Sequence, residues 1–305
     1  MAKLRRKTLL KSNLEYWLND KLLREGLYRN ITVGETDVYG DDMSKLVPIT
    51  DDENFSNGQV WQSAFKNWVY EDGIPSSVSG VAPPIVASGI TVDGTFYPEA
   101  TTSGAFAHFI DFPNGRVVFL SPILDSSLVQ GDLAFKEITV EFAERFDNER
   151  MDLLTETAFK DNPQQDGTVA YPSKEQRTLP AIWIDFLDRT NDGYELGAKS
   201  LVTDFKGVFH IWGRDGFLRD IVEDIVNDTH RDVVLGIDFN TAPYPLLSKG
   251  RKNPAWPGYA ELARLHSPYF WRRIYIEEIN PKKDKPLFEI ERTQARFRVR
   301  IYPNF

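Results

Sequence analysis

Between Leu179 and Asn240 the spacing of apolar and polar positions changes from a strand period to a helix period and back. Ala181 to Leu187 and Gly207 to Trp212 are apolar, β-rich runs, and Val233 to Phe239 is a third. Between the second and third, Phe217, Leu218, Ile221, Val222, Ile225 and Val226 recur at i, i+1, i+4, i+5, i+8 and i+9, which predicts a helix with these six on one apolar face. Asp220, Glu223, Asp224 and Asp228 fall largely opposite. Asp215 before Gly216 is placed to cap the first-turn amides, and the pattern ends near Asn227. A helix of about three turns laid across a small sheet would bury that stripe.

Upstream, Leu10, Leu14, Trp17, Leu18 and Leu22 predict a docking helix that ends near Gly26. Lys3, Arg5, Arg6 and Lys7 form a short basic arm ahead of it, read either as a solvated terminus or as a segment that orders on a partner. Residues 35 to 60 are rich in Asp, Gly and Asn and predict an extended connection without a strand. Their acids lack the spacing of a calcium loop. Aromatics return from Trp61 to Tyr70, and Ser76 to Gly89 is a Ser/Pro/Gly connector. Two hairpins follow, turning at Asp93-Gly94 and at Pro113-Asn114-Gly115. Lys136 to Phe142 alternates with Ile138, Val140 and Phe142 inward, as a further strand of the same block. A helix is expected around Asp152 to Phe159 and a linker from Asn162 to Ser173.

Beyond Asn240 come loops, a short helix from Gly258 to His266, and two closing strands. Ile274, Ile276 and Ile279 mark the first. In the second, Ala295, Phe297, Val299 and Ile301 alternate with Gln294, Arg296, Arg298 and Arg300, which sets three arginines on one sheet face. Such a face is either solvated or in contact with a neighbour's carboxylates or with phosphate, to which planar guanidinium groups are suited.

Charge sharpens this division. The net charge of -9 is uneven: residues 35–170 hold 23 Asp and Glu against 7 Lys and Arg, residues 1–34 hold 3 against 8, and residues 171–305 hold 19 against 21. The predicted organisation is a basic arm and docking helix (1–34) belonging to a core domain, an acidic β-rich insertion (35–170), and the α+β core itself (171–305). An acidic block would repel a nucleic-acid backbone, while basic ends favour an acidic neighbour or DNA. With 305 residues, 41% of them hydrophobic, the chain can build one large core or two modest ones. No apolar run approaches the ~18 residues of a membrane span, and the N-terminal stretch lacks a signal peptide's apolar core, so the protein is expected to stay where it is made. Zero cysteines exclude disulfides and thiolate chemistry, and suit a reducing compartment.

Candidate chemistry is sparse. His108, His210, His230 and His266 show no helical metal-pair spacing, and neither a phosphate-binding glycine loop nor a nucleophile elbow occurs. Asp185 with Asp188, and Asp232 with Asp238, are the weak candidates for a carboxylate-dependent hydrolase. Tryptophans at 17, 61, 68, 183, 212, 256 and 271 would suit a carbohydrate groove or a packed core, and their scatter favours the core. The expectation is a non-enzyme without metal or cofactor.

The N-terminal pattern Leu-Leu-x3-Leu-x2-Trp-Leu-x3-Leu, followed by Leu179-Pro180-Ala181-Ile182, Tyr194-Glu195-Leu196-Gly197, the strand through Trp212, the helix from Phe217, Ile237-Asp238-Phe239-Asn240 and two terminal strands, resembles the neck and tail-terminator (tail-completion) proteins of tailed bacteriophages. Ile110 to Phe119 is similar to a segment of phage neck and connector proteins. The resemblance implies a tail-terminator-like sheet with packed helices and a virion structural role. It further implies a homo-oligomeric ring, as a hexamer, at the head-to-tail junction, which caps the tail tube, meets tube, sheath or connector proteins, and lets genomic DNA pass. It places assembly in the host cytoplasm, with no membrane partner. The large acidic insert departs from simple terminators and leaves the ring's position open. A tail or baseplate module that binds glycans is the alternative.

Overall fold

The N-terminal helix organises the larger of the two main hydrophobic cores among the described residues. The computed structural model describes residues 5–50, 53–78, 80–99, 101–142, 179–193, 201–213, 215–284 and 291–302. Lys3, the helix expected at Asp152–Phe159, the linker at Asn162–Ser173 and the turn from Tyr194 to Gly197 lie outside them.

Helix α1 (Arg6–Arg24) buries Leu9, Leu10, Leu14, Leu18 and Leu22. It ends as expected: Gly26 adopts φ 88°, which an L side chain resists, and its amide and that of Leu27 return to Leu23 O and Leu22 O at 3.1 Å. The arm is shorter than the sequence suggested. Arg5 is the N-cap residue, while Arg6 and Lys7 already lie in the first helical turn.

Among the described residues the strands form three sheets. In the middle block, β2 (Lys45–Pro48), β3 (Val60–Gln62), β4 (Gly89–Val92), β5 (Thr95–Pro98), β6 (His108–Asp111), β7 (Arg116–Phe119) and β8 (Val129–Gln130) make an antiparallel sheet in the order β5-β4-β8-β2-β3-β7-β6. Its core holds Trp61, Trp68, Ile110, Phe112 and Phe119. The strand β2 corrects the expectation that residues 35–60 form none. Leu46 alone is fully buried in it, too short a pattern to read from sequence.

A two-stranded ribbon of β1 (Tyr28–Ile31) and β9 (Leu133–Lys136) joins this block to α1, and Leu23 of α1 packs with Tyr28, Val69, Ile74 and Ala134 there. The next strand, β10 (Thr139–Phe142), leaves the block. It runs parallel to β11 (Ala181–Gly193), in the second large sheet, contrary to its assignment by alternation to the acidic unit.

That sheet has six strands in the order β10-β11-β12-β15-β14-β13, where β12 is Leu201–Gly213, β13 Val233–Ile237, β14 Phe270–Asp284 and β15 Glu291–Ile301. Helix α2 (Gly216–Asn227) lies between β12 and β13 in sequence, and α3 (Tyr259–Leu262) is a single turn where a longer helix was expected. α1 touches both β10 and β13, the two outermost strands, so the sheet curls around it. One face is a continuous apolar surface: Ile182, Ile184, Phe205, Phe209, Ile211, Phe297, Val299 and Ile276 pack with α1 and α2 in one core.

α2 starts where expected, with Asp215 accepting from Leu218 N at 2.8 Å. Its buried row differs from the six apolar positions. Arg219, Val222 and Val226 are buried, whereas Phe217 is 74% exposed. Arg219 tolerates burial because its guanidinium is paired with Asp220 at 2.7 Å and Glu291 at 2.5 Å.

Candidate interaction surface

The strand pleat sends alternate side chains to opposite faces, so β12 and β15 turn a second, polar face away from the helices. Register places Asp204 beside Arg300, Lys206 beside Arg298, Val208 beside Arg296, and His210 beside Gln294. The three predicted arginines therefore do share a face, but they do different things.

Arg300 donates to Asp204 Oδ1 from Nε at 2.7 Å and to Oδ2 from Nη2 at 2.9 Å, a bidentate contact. Arg298 donates to the same carboxylate. From β14, Glu277 receives Arg300 Nη1 at 2.9 Å and faces Arg298 Nε at 3.5 Å. The bulge between Ile276 and Glu278 turns Glu277 to this face. Asp204 is buried, and the hydrogen bond from Arg300 above all holds its carboxyl below the usual range. The same bond holds the Arg300 guanidinium above its own. These two arginines are committed within the chain. Arg296 is exposed and has no ion-pair partner among the described residues, as is Lys206 across the sheet.

Further along the same face the side chains become aromatic and buried. Trp183 lies beside His210, and Trp212 lies under the Arg292 guanidinium at 5.0 Å. Trp183 Nε1 and His210 Nε2 are buried without hydrogen-bond partners. Burial first, then the charge of Arg292, depresses the His210 pKa, so its ring is neutral at neutral pH.

β10 covers β11 only from Ala181 to Ile184; beyond that no strand among the described residues pairs with its outer edge, and residues 187–193 are all exposed. A bulge between Phe186 and Asp188 sets Leu187 outward, 55% exposed, next to the row of Lys206.

The N-terminal basic residues reach the same end of the sheet from its other face. Arg6 Nη1 donates to Thr203 Oγ1 at 2.8 Å, while Arg5 and Lys7 are exposed. The two pairs of carboxylate candidates lie apart, Asp185 and Asp188 on β11 and Asp232 and Asp238 at the two ends of β13, toward the opposite edge of the sheet. Asp188 accepts from Arg189 N at 2.7 Å, Asp232 faces Lys21 at 3.4 Å, and Asp238 caps the Asn240 amide at 3.0 Å; Asp185 is buried. Among the described residues no group of three or more His, Asp or Glu is arranged to hold a metal. Trp61, Trp68, Trp183, Trp212 and Trp256 are buried, so these five cannot line an open groove.

Sequence reasoning missed Asp204, the hub of the polar face. The only signal was its place two residues before Lys206 in the strand leading to Trp212.

No protein-family model matches this chain, and no curated protein sequence matches it. Its architecture is α+β: a curled six-stranded sheet with helices on its apolar face, joined to an antiparallel β unit. No described helix is long and apolar enough to cross a membrane.

Proposed function

We propose that this protein is a structural subunit of a tailed-phage virion, one that assembles with copies of itself into a ring, as a hexamer, at the head-to-tail junction. The observation that carries this reading is the outer edge of β11, exposed from Leu187 to Gly193 and paired there with no strand among the described residues, beside a charged sheet face. An uncovered edge of this length is a template for another chain. Repeated head-to-tail contact between unlike surfaces closes a ring when the rotation permits. The divided charge supports the same reading, since residues 35–170 hold 23 acids against 7 bases while residues 1–34 hold 8 bases against 3 acids, so that unlike parts of two copies attract. In this reading the ring caps the tail tube, meets connector, tube or sheath proteins, and leaves a channel for DNA.

Native mass spectrometry and negative-stain imaging of the full chain, alone and mixed with tail tubes, test the proposal. Rings or capped tubes are expected; a chain that stays monomeric and leaves tubes uncapped overturns it.

A further inference from the structure

Among the described residues the most exposed large apolar side chains are adjacent. Val38 is 92% exposed and Tyr39 is 88% exposed, on the loop from Thr36 to Asp42 in the acidic unit. This loop is not slack. Asp37 N donates to Asp41 O at 2.9 Å, Met43 N to Glu35 O at 2.8 Å, and Thr36 and Asp42 form a β-bridge. The Asp37 carboxylate accepts from the amides of Tyr39 at 2.8 Å and Asp41 at 3.0 Å. At its base, Asp42 accepts from Ser44 N at 2.9 Å and from Gln130 Nε2 at 2.6 Å, which anchors the loop to β8. Gly40, at φ 89°, makes the tight return.

The chain thus fixes the backbone of a loop whose two largest side chains pack on nothing of its own. Such a display loses little freedom on binding, and a tyrosine offers both apolar area and a polar tip. Asp37 and Asp41 frame it with negative charge. The complementary surface is on the other unit of the same chain. Leu187 stands 55% exposed on β11, next to Asp188, whose register partner is Lys206; Lys206 on β12 and Arg296 diagonally across on β15 are exposed cations with no ion-pair partner among the described residues. Arg298 and Arg300, by contrast, are held by Asp204.

We infer that the Val38–Tyr39 loop of one copy docks on the Leu187, Lys206 and Arg296 surface of the next copy. This rests on the ring-subunit reading and supplies its contact: two unlike surfaces, apolar at the centre and of opposite charge at the rim, meeting head to tail.

The test uses the full chain and four variants. Tyr39→Ala and the double variant Lys206→Glu/Arg296→Glu should each melt like the wild type, because these side chains are exposed, yet weaken self-association by about 30-fold or more. Mixed together, they retain one intact contact per pair, a Tyr39 loop against an unaltered basic surface. The mixture should therefore give dimers and no rings in native mass spectrometry. Asp41→Lys combined with Arg296→Glu should recover part of the association lost by Arg296→Glu alone. Rings of undiminished stability in Tyr39→Ala, or a mixture that yields no dimers, would overturn this contact while leaving the ring reading in place. A wild-type chain that never self-associates overturns both.

Discussion

Asn13 and Ile237 exchange two hydrogen bonds: Asn13 Nδ2 donates to Ile237 O at 2.9 Å, and Ile237 N donates to Asn13 Oδ1 at 2.5 Å. A side-chain amide, fully buried in α1, thereby stands in for a neighbouring strand at the outer edge of β13. Asn13→Leu would leave a buried amide and a buried carbonyl without partners, and each costs ~1–3 kcal/mol. The expected loss is about 3 kcal/mol, measured as a fall in the urea midpoint with an unchanged slope.

Asp204 anchors two arginines, so Asp204→Ala is expected to cost about 2 kcal/mol at neutral pH; their partial exposure keeps it below the loss for a fully buried pair. Because the folded carboxyl is held below its unfolded value, its contribution is fully present above about pH 4 and is lost as pH falls through the folded value. The gap between wild type and variant should accordingly shrink in unfolding curves at pH 3. Arg296→Glu, which breaks no such pair, should leave stability within about 0.5 kcal/mol. A triple reversal of Arg296, Arg298 and Arg300 would instead damage the fold along with any assembly.

Glu15 has the opposite sign. Burial raises its pKa to about 7, against a downward pull from Lys136 and with a further push from Glu141. A carboxyl raised in the fold contributes stability that is fully present below its unfolded value, near ~4.3, and is lost as pH rises through about 7. Glu15→Gln stays neutral. It should be more stable than wild type at pH 8, on the order of 3 kcal/mol, and nearly equal to it at pH 4, as thermal melts at the two values would show.

Lys136 and Glu71 form a buried pair at 2.5 Å, with the ammonium 4.5 Å from the Tyr70 ring centroid. Removing one partner strands the other's charge, so Glu71→Leu alone should cost about 3 kcal/mol. Glu71→Leu with Lys136→Met should recover most of that loss. A double variant as unstable as the sum of the single ones would show that the two charges act independently.

The turns were the most legible part of this chain. Asn114-Gly115 and Asp93-Gly94 each join paired strands, β6 to β7 and β4 to β5. At Gly115 a Cβ would meet Phe65 O at 2.0 Å, so only glycine fits. Alternation identified β10 as a strand but could not name its sheet, because inward-facing residues say nothing about which strand lies alongside. On α2 the six apolar positions cover a broad arc, and Asp220 with Glu291 lets Arg219 take part of the buried row. Asp204 escaped notice for a related reason. Its partners Arg298 and Arg300 are 94 and 96 residues away, and only strand register brings them together.

The closure of the sheet by α1 also sets an order of events during synthesis. α1 emerges first, yet one of the two strands it seats against ends at Ile237, 224 residues after Asn13. The middle unit, whose ribbon closes when β9 pairs with β1, can complete its own core in the interval. The leucine row of α1 must therefore wait uncovered while the unit behind it folds, and the curled sheet forms around a helix that was already there.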